Sequence, residues 1–307
     1  MASGDGVLIG AVEGGGTKFV CAVARSPVNL LDRVVIPTRD PVSTLSGCVD
    51  FFRAARRRHG DMAVISIASF GPLQLRRDAR DYGCLLGTPK AGWSGVSVLA
   101  PFSGDGPVPV LLDTDVAAAA HGELVLGAGR GRGSLAYVTV GTGIGGAVAP
   151  APVGARLMHA EMGHAIVRRD PRDAGFDGIC PYHGDCLEGL ASGPAIRARW
   201  GCELTQLPAS HPGRDLIAGY LGQLIASLVL LHSPEVVVLG GGVMTDGALL
   251  PRIRAATHSV LAGYLPPLRD ASDVDRYIQA PALGGDSAIA GAIQLALDFL
   301  AVKEMRS

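Results

Sequence analysis

Runs of apolar residues and their spacing lay out the chain before any single side chain does. VLIGAVEGGGTKFVCAVA (7–24) reads as strand, glycine turn, strand, because β-branched apolar runs flank Gly14 to Gly16 and the pattern resumes at Thr17. Pro41 to Gly60 looks helical, and MAVISIASFGP (62–72) is a continuous apolar run, which predicts a buried strand ending at a Gly-Pro turn. A short strand at Pro109 to Leu112 leads into DTDVAAAAHGELVLGAG (113–129), an alanine-rich helix. SLAYVTVGTGIGGAVAP (134–150) repeats the opening plan of strand, glycine turn, strand. Farther on, a helix is expected over Ser210 to His232, and PEVVVLGGGVMTDG (234–247) reads as a buried strand ending in three glycines. Pro281 to Leu300 supplies a short glycine turn and a closing helix.

Two strand–turn–strand units, each opening a mixed α/β half, predict two similar lobes facing each other across a cleft. At 307 residues, two domains are also the expectation from length. The N-terminal lobe is placed at 1–117 and takes back a closing helix at about 289–307. The C-terminal lobe is placed at 118–288.

Composition narrows the function. The chain is 48% hydrophobic and 18% charged, which suits a globular protein with a substantial core. Its net charge of −1 leaves no basic footprint for nucleic acid. Lysine is confined to Lys18, Lys90 and Lys303, and the arginines are scattered apart from short clusters such as Arg56 to Arg58. The N-terminal MASGDGVLIGAVEGGG lacks a basic n-region, so no signal peptide is expected. No stretch approaches about 18 uninterrupted apolar residues, so neither is a membrane span. Cys21, Cys48, Cys84 and Cys202 form no framework, which points to a reducing cytoplasm. Cys180, His183 and Cys186, by contrast, form a CxxHxxC run, with His164 sixteen residues upstream. In a reducing compartment such clusters more often hold metal than form disulfides.

The glycine turns carry candidate chemistry too. Gly141-Thr142-Gly143-Ile144-Gly145-Gly146 satisfies GxGxxG after a strand, and Glu161 lies twenty residues on. A dinucleotide site needs a helix to open at once, however, and AVAPAPVGAR follows with two prolines. No GxxxxGK[ST] run is present, which excludes a P-loop enzyme. A glycine turn between two strands lets backbone N–H groups approach an anion, with Thr17, Thr142 and Lys18 adding donors. A tight hairpin without ligand is the alternative for either turn alone; a third run at Gly240, Gly241 and Gly242 weakens it.

EGGGTKFVCAVA, ASFGPL, LLDTDVAAAAHGE, TVGTGIGG, HAEMGH, CPYHGDCLEGLASGPAI and VVVLGGGVM follow one another in an order that resembles the ROK family of repressors and sugar kinases. The resemblance runs from about Gly10 to Gly291 and is greatest to the bacterial zinc-containing fructokinases. It implies an α/β, two-lobed actin-like ATPase (ribonuclease H-like) fold and transfer of the γ-phosphoryl of ATP to a hexose, with Mg²⁺ on the phosphates. Asp115 matches the catalytic base, although a helix cap is its plainer reading. Glu161 and Glu188 match the sugar-binding acids, and Gly71, Thr114 and His164 further sugar contacts. Gly15, Gly16, Thr17 and Lys18 would hold phosphates, as would Thr139, Gly141, Thr142 and Gly143. Gly240 to Gly242 would lie against the adenosine, helped by Pro194 in the Ser192-Gly193-Pro194 turn.

His164, Cys180, His183 and Cys186 match the ligands of the family's structural zinc. One His164 nitrogen would be left for the sugar, and His159 is a conceivable substitute ligand. Ala117 stands where an asparagine is usual after the catalytic Asp-Val, His121 where a leucine is, Ala160 where a proline is, and Glu13 where an aspartate is common. These departures bear on turnover and sugar preference. The implied product is fructose 6-phosphate, with mannose or glucose as alternative substrates, or a sugar sensor with weak catalysis. The family's repressors place several dozen residues before the first glycine turn, against about ten here. A cytoplasmic homodimer is the expected assembly.

Overall fold

The computed structural model describes residues 6–103, 108–151 and 158–305. They fall into two compact units. The first runs to Gly122, includes the short stretch ending at His159, and resumes at Asp286; the second begins at Glu123 and holds Ala160–Gly285.

The first unit is built on a five-stranded sheet of β1 (Ile9–Gly14), β2 (Lys18–Ser26), β3 (Asn29–Pro37), β4 (Val64–Ser69) and β5 (Val110–Thr114), in the order β3-β2-β1-β4-β5. The β1–β2 and β2–β3 pairs are antiparallel, while β1–β4 and β4–β5 are parallel. Helix α1 (Pro41–His59) covers one face and has the signals of a helix: the Asp40 side chain accepts from the Ser43 N–H, Pro41 opens the first turn, and Arg56 to His59 close the last. Phe19, Cys21 and Val23 of β2 point into the α1 side, with Cys48 and Phe52. Val20, Ala22 and Ala24 point the other way, into a core shared with Ala118, Ile289, Ala292 and Ile293. Both faces are buried, which is why the sequence reads as unbroken apolar runs.

That second face is covered by α2 (Asp115–Val125) and α8 (Ser287–Glu304). The two helices touch backbone to backbone. A Cβ on Gly291 would lie 1.8 Å from the Ala118 carbonyl oxygen, and one on Gly122 2.6 Å from that of Ser287. The boundary between the units falls just after this crossing, at Glu123. Its fully buried carboxylate accepts the N–H groups of Ala128, Ala282 and Leu283 at 2.9, 3.1 and 3.0 Å.

The second unit carries a four-stranded sheet, β7-β6-β8-β9, from β6 (Leu135–Val140), β7 (Ile144–Ala149), β8 (Val237–Gly240) and β9 (Ile278–Gln279). The β6–β7 pair is antiparallel and the other two are parallel. Around it lie α3 (Leu187–Ala191), α4 (Gly193–Trp200), α5 (Gly213–His232), α6 (Leu249–Leu261) and α7 (Ala271–Tyr277). Among the described residues, two helical stretches are long and apolar enough to cross a membrane, Gly213–His232 and Gly284–Glu304. The first is the core helix of its unit, with 61% of its most apolar window buried, and packing inside the fold accounts for its composition.

Three differences from the sequence expectation have local causes. The helix expected over 113–129 ends at Val125, where the Glu123 carboxylate draws in the Ala128 N–H. Strand β3 goes unread because it is a sheet edge with alternately exposed positions and carries Asp32 and Arg33. Helix α6 goes unread because Pro251 interrupts its pattern. That proline lies in the first turn, where no intrahelical N–H is lost, and Leu249, Ile253, Thr257 and Leu261 bury one face at every fourth residue.

The helix crossing gives a paired test by chemical denaturation. Gly291→Ala should lower stability by about 1–3 kcal/mol, because the new methyl group forces α2 from α8. Gly219, inside α5 with open space around it, is the control: Gly219→Ala should raise stability by up to about 1 kcal/mol.

Candidate functional site

In the first unit, candidate residues collect at the carboxyl ends of three parallel strands. Gly14 pairs with Ser69, and Ser69 with Thr114, so the ends of β1, β4 and β5 share one row. The first glycine turn leaves from Gly14, Gly71 follows β4, and Asp115 follows β5 as the first residue of α2. Parallel sheets place ligands at such ends. Gly15 closes the turn by donating its N–H to the Lys18 carbonyl at 2.9 Å, and the Thr38 hydroxyl donates to the Gly15 carbonyl at 2.8 Å. Gly16, Thr17 and Lys18 are exposed.

Thr114 is buried, and its hydroxyl accepts the Ala117 N–H at 3.2 Å, so Thr114 supplies the helix cap and Asp115 is released from that duty. Asp115 Oδ1 accepts the N–H of Val116 at 2.9 Å. Burial nevertheless raises its pKa to about 6. Glu13, on β1, is raised to about 7, first by burial and then by the charge of Asp115, with Lys18 opposing. Asp115, the stronger acid, ionises first, so Glu13 titrates against its charge. Glu13 Oε2 is buried without a hydrogen-bond partner, an arrangement that calls for a cation or a ligand donor. The Arg33 guanidinium, which also acts on Glu13, is held by both oxygens of Asp286 at 2.7 and 3.2 Å. His159 belongs to this unit: its Nε2 accepts the Leu73 N–H at 2.8 Å, beside Gly71, and it is not among the clustered metal-binding groups.

The second unit brings together His164, Cys180, His183 and Cys186, with all four ligand atoms within 4.8 Å of one another. His164 Nδ1 lies 3.7 Å from Cys180 Sγ and 3.5 Å from Cys186 Sγ, and His183 Nδ1 lies 3.7 Å from Cys180 Sγ. A tetrahedral ion at about 2.3 Å from sulfur and 2.0–2.1 Å from nitrogen places such atoms about 3.6 Å apart, so the spacing suits a shared metal. Burial pushes the Cys186 thiol up to about 11, and a thiolate there needs a cation beside it.

The loop between His164 and Cys180 is held by charged and polar side chains. Arg199 holds Asp173 through two hydrogen bonds of 2.9 and 3.0 Å, and the Tyr220 hydroxyl donates to the same carboxylate at 2.8 Å. Arg169 donates to the carbonyls of Asp173 and Phe176, both at 2.6 Å. Sequence reasoning missed these residues, because RRDPRD reads as solvated charge until Arg199 and Tyr220 are brought beside it.

Cys186 immediately precedes α3, which places Glu188 in the first turn of that helix. Glu188 Oε2 accepts the N–H of Ile144, in the second glycine turn, at 2.8 Å. Oε1 of the same carboxylate lies 3.9 Å from His164 Nε2, too far for a hydrogen bond, so that nitrogen is not consumed. A Cβ on Gly143 would lie 2.7 Å from Glu188 Oε2, so a side chain there would have to displace that carboxylate. Glu161, half-buried, precedes the single turn that ends at His164, and its carbonyl accepts the His164 N–H at 3.0 Å.

The remaining glycines meet at the carboxyl ends of β6 and β8, where Thr139 pairs with Gly240. Gly241 has φ +97°, and a Cβ there would fall 2.4 Å from the Val140 carbonyl oxygen. The Gly193 N–H donates to the Gly141 carbonyl at 2.8 Å, so the Ser192–Pro194 turn at the start of α4 abuts the second glycine turn. Thr142 and Gly242 are exposed on these turns.

The chain is similar to known proteins over nearly its whole length. The ROK family profile matches residues 9–299. The chain is 42% identical to a fructokinase of Zymomonas mobilis over 298 residues, covering 95% of this chain and 97% of that protein. It is 38% identical to a fructokinase of Streptococcus mutans over 292 residues, with 94% and 97% covered. Among solved structures, the ROK hexokinase of Thermus thermophilus is similar with a TM-score of 0.73 and 28% identity, over 97% of this chain and all of that one.

The burial of the Glu13 carboxyl has a measurable consequence. A buried acid whose pKa is raised favours the folded state while protonated, and that contribution is lost as pH climbs from its ordinary value, 4.5, through about 7. Glu13→Gln should therefore unfold with a free energy about 1–3 kcal/mol above the parent protein's at pH 8, and the gap should close by pH 4.5.

Proposed function

The chain belongs to the ROK family, and from that premise we propose that it transfers the terminal phosphoryl group of ATP to a hexose, D-fructose, giving fructose 6-phosphate and ADP. The observation behind the choice of sugar is full-length likeness to proteins named fructokinase. The two units are taken as the N-terminal lobe with its returning helix and the C-terminal lobe with the metal-binding loop.

Phosphoryl transfer asks for alignment, charge stabilisation and a base at the attacking hydroxyl. Asp115 is assigned as that base: its carboxylate takes the proton of the sugar hydroxyl as the new O–P bond forms and ADP leaves. With a pKa of about 6 it is ionised at neutral pH yet a stronger base than an ordinary aspartate. The turn Gly15, Gly16, Thr17, Lys18 and the turn around Thr139, Gly141, Thr142 and Gly143 are assigned to the phosphates through their N–H groups and hydroxyls. Gly240 to Gly242 and Pro194 are assigned to the adenosine. Magnesium, when bound with ATP, neutralises phosphate charge; the unpartnered oxygen of Glu13 supports a place for it.

Glu161 and Glu188 are assigned to the sugar hydroxyls, since each carboxylate oxygen accepts from a polyol donor. Gly71, Thr114 and His164 complete that contact set. An S₂N₂ donor set of near-tetrahedral spacing favours zinc, held by His164, Cys180, His183 and Cys186. Zinc orders the loop that carries Glu161, His164 and Glu188 and takes no part in the transfer. Residence in the cytoplasm and assembly as a homodimer are carried over from the family resemblance.

The test is ADP release by the purified protein with MgATP across fructose, mannose, glucose and N-acetyl sugars. Fructose is expected to give the highest kcat/KM. A higher value with mannose or glucose would keep the chemistry and reject the sugar, and no turnover with any of them would favour a sensor. Asp115→Asn should lower kcat by about 10²–10⁴-fold. In the parent protein kcat/KM should fall as pH drops below about 6, where the base becomes protonated.

A further inference from the structure

Lys90 is one of three lysines in the chain and lies far from the first glycine turn in sequence. Its Nζ donates to the Gly16 carbonyl at 2.6 Å. Neither length nor motif announces this contact; the packing of the loop around Lys90 creates it. Trp93, three residues on, is fully buried, stacks on Phe19 at 5.5 Å and 21°, and meets Phe70 edge-on at 5.4 Å. Its indole N–H donates to the Arg39 carbonyl at 2.9 Å. Phe19 is the second residue of β2, directly after Lys18. The same aromatic stack therefore anchors both the Lys90 loop and the strand that leaves the glycine turn. The Thr88 hydroxyl adds a local brace by accepting the Lys90 N–H at 3.3 Å.

In a trans peptide the C=O of one residue and the N–H of the next point in opposite directions. A donor on a carbonyl therefore aims the following N–H. Thr38 does this twice, through its hydroxyl on the Gly15 carbonyl at 2.8 Å and its N–H on the Thr17 carbonyl at 2.9 Å. Lys90 does it once, on the peptide between them, that of Gly16 and Thr17. A Cβ on Gly16 would meet nothing, so on the Gly16 side no side chain sets the orientation of this plane, which is left to the Lys90 hydrogen bond and to the backbone preference of Thr17. If it turned, a carbonyl oxygen would stand where an N–H is wanted, and an oxygen repels phosphate.

We propose that Lys90 is a positioning residue of the first glycine turn, its ammonium holding the Gly16 carbonyl so that the Thr17 N–H is presented to the phosphates of ATP. The proposal rests on the assignment of that turn to phosphate made above. Two of the three ammonium donors remain after the Gly16 contact, and the positive charge stays beside the anion-binding turn. Arginine can replace the donor and the charge, whereas methionine keeps most of the side-chain length and supplies neither.

Calorimetric titration of MgATP and of adenosine, without sugar, tests this on the full-length protein, Lys90→Met and Lys90→Arg. Lys90→Met should bind MgATP about tenfold more weakly, the loss expected for one charge-assisted hydrogen bond, and adenosine as before. Lys90→Arg should recover most of the MgATP affinity, and KM for fructose should stay unchanged in both variants. Hydrogen exchange separates orientation from charge: saturating MgATP should slow exchange of the Thr17 amide in the parent protein and not in Lys90→Met. Equal MgATP affinity, a parallel loss of adenosine affinity, or a Thr17 amide still protected in saturated Lys90→Met would each overturn the proposal. A parent protein that binds MgATP no more tightly than adenosine would reject the phosphate assignment of the turn itself, and Lys90 with it.

Discussion

One carboxylate holds the second unit's candidate site together. Glu188 lies in the first turn of α3, just after Cys186 of the His/Cys cluster, and accepts the N–H of Ile144 in the second glycine turn. Its other oxygen faces the outer nitrogen of His164. The His/Cys cluster and the second glycine turn are thereby referred to one side chain. A carboxylate with one oxygen committed to a backbone N–H loses rotamer freedom and keeps its second oxygen for a ligand, which is how a scaffold pre-orders a polyol site. The absence of a side chain at Gly143 is part of the same device, since a methyl group there would collide with the committed oxygen.

The first unit solves a different problem. Asp115 and Glu13 are acids kept in surroundings that disfavour their charge, with raised pKa values and, for Glu13, a buried oxygen lacking a partner. Proteins tolerate such groups where function requires them, because ligand and counter-ion supply the missing partners on binding. The helix crossing at Gly122 and Gly291 belongs to the first unit, and the buried Glu123 cradle to the second.

Much of this was legible in the sequence, for physical reasons that differ by element. Strands buried on both faces announce themselves as apolar runs, so β1, β2, β4, β6 and β8 could be read directly. The CxxHxxC run announces a candidate metal site, and the structure brings its three residues together with His164. Family resemblance, and not spacing, pointed to Asp115; alone it reads as a helix cap, and the structure shows that Thr114 fills that role instead. What stayed hidden depends on contacts between distant segments. Lys90 reaches Gly16 across 74 positions, Arg199 reaches Asp173 across 26, and β3 is an edge whose partner is not encoded in its own pattern.

The central claim is that a zinc-ordered loop carries the sugar contacts in a sugar kinase of this family. The most direct measurement is fructose binding by calorimetry to protein as purified, to protein stripped of metal by a chelator under reducing conditions, and to stripped protein given back zinc. The account predicts about one zinc per chain at the start, loss of fructose binding with the metal while far-ultraviolet circular dichroism is retained, and recovery on zinc addition. Metal-free protein that binds fructose with undiminished affinity would contradict it.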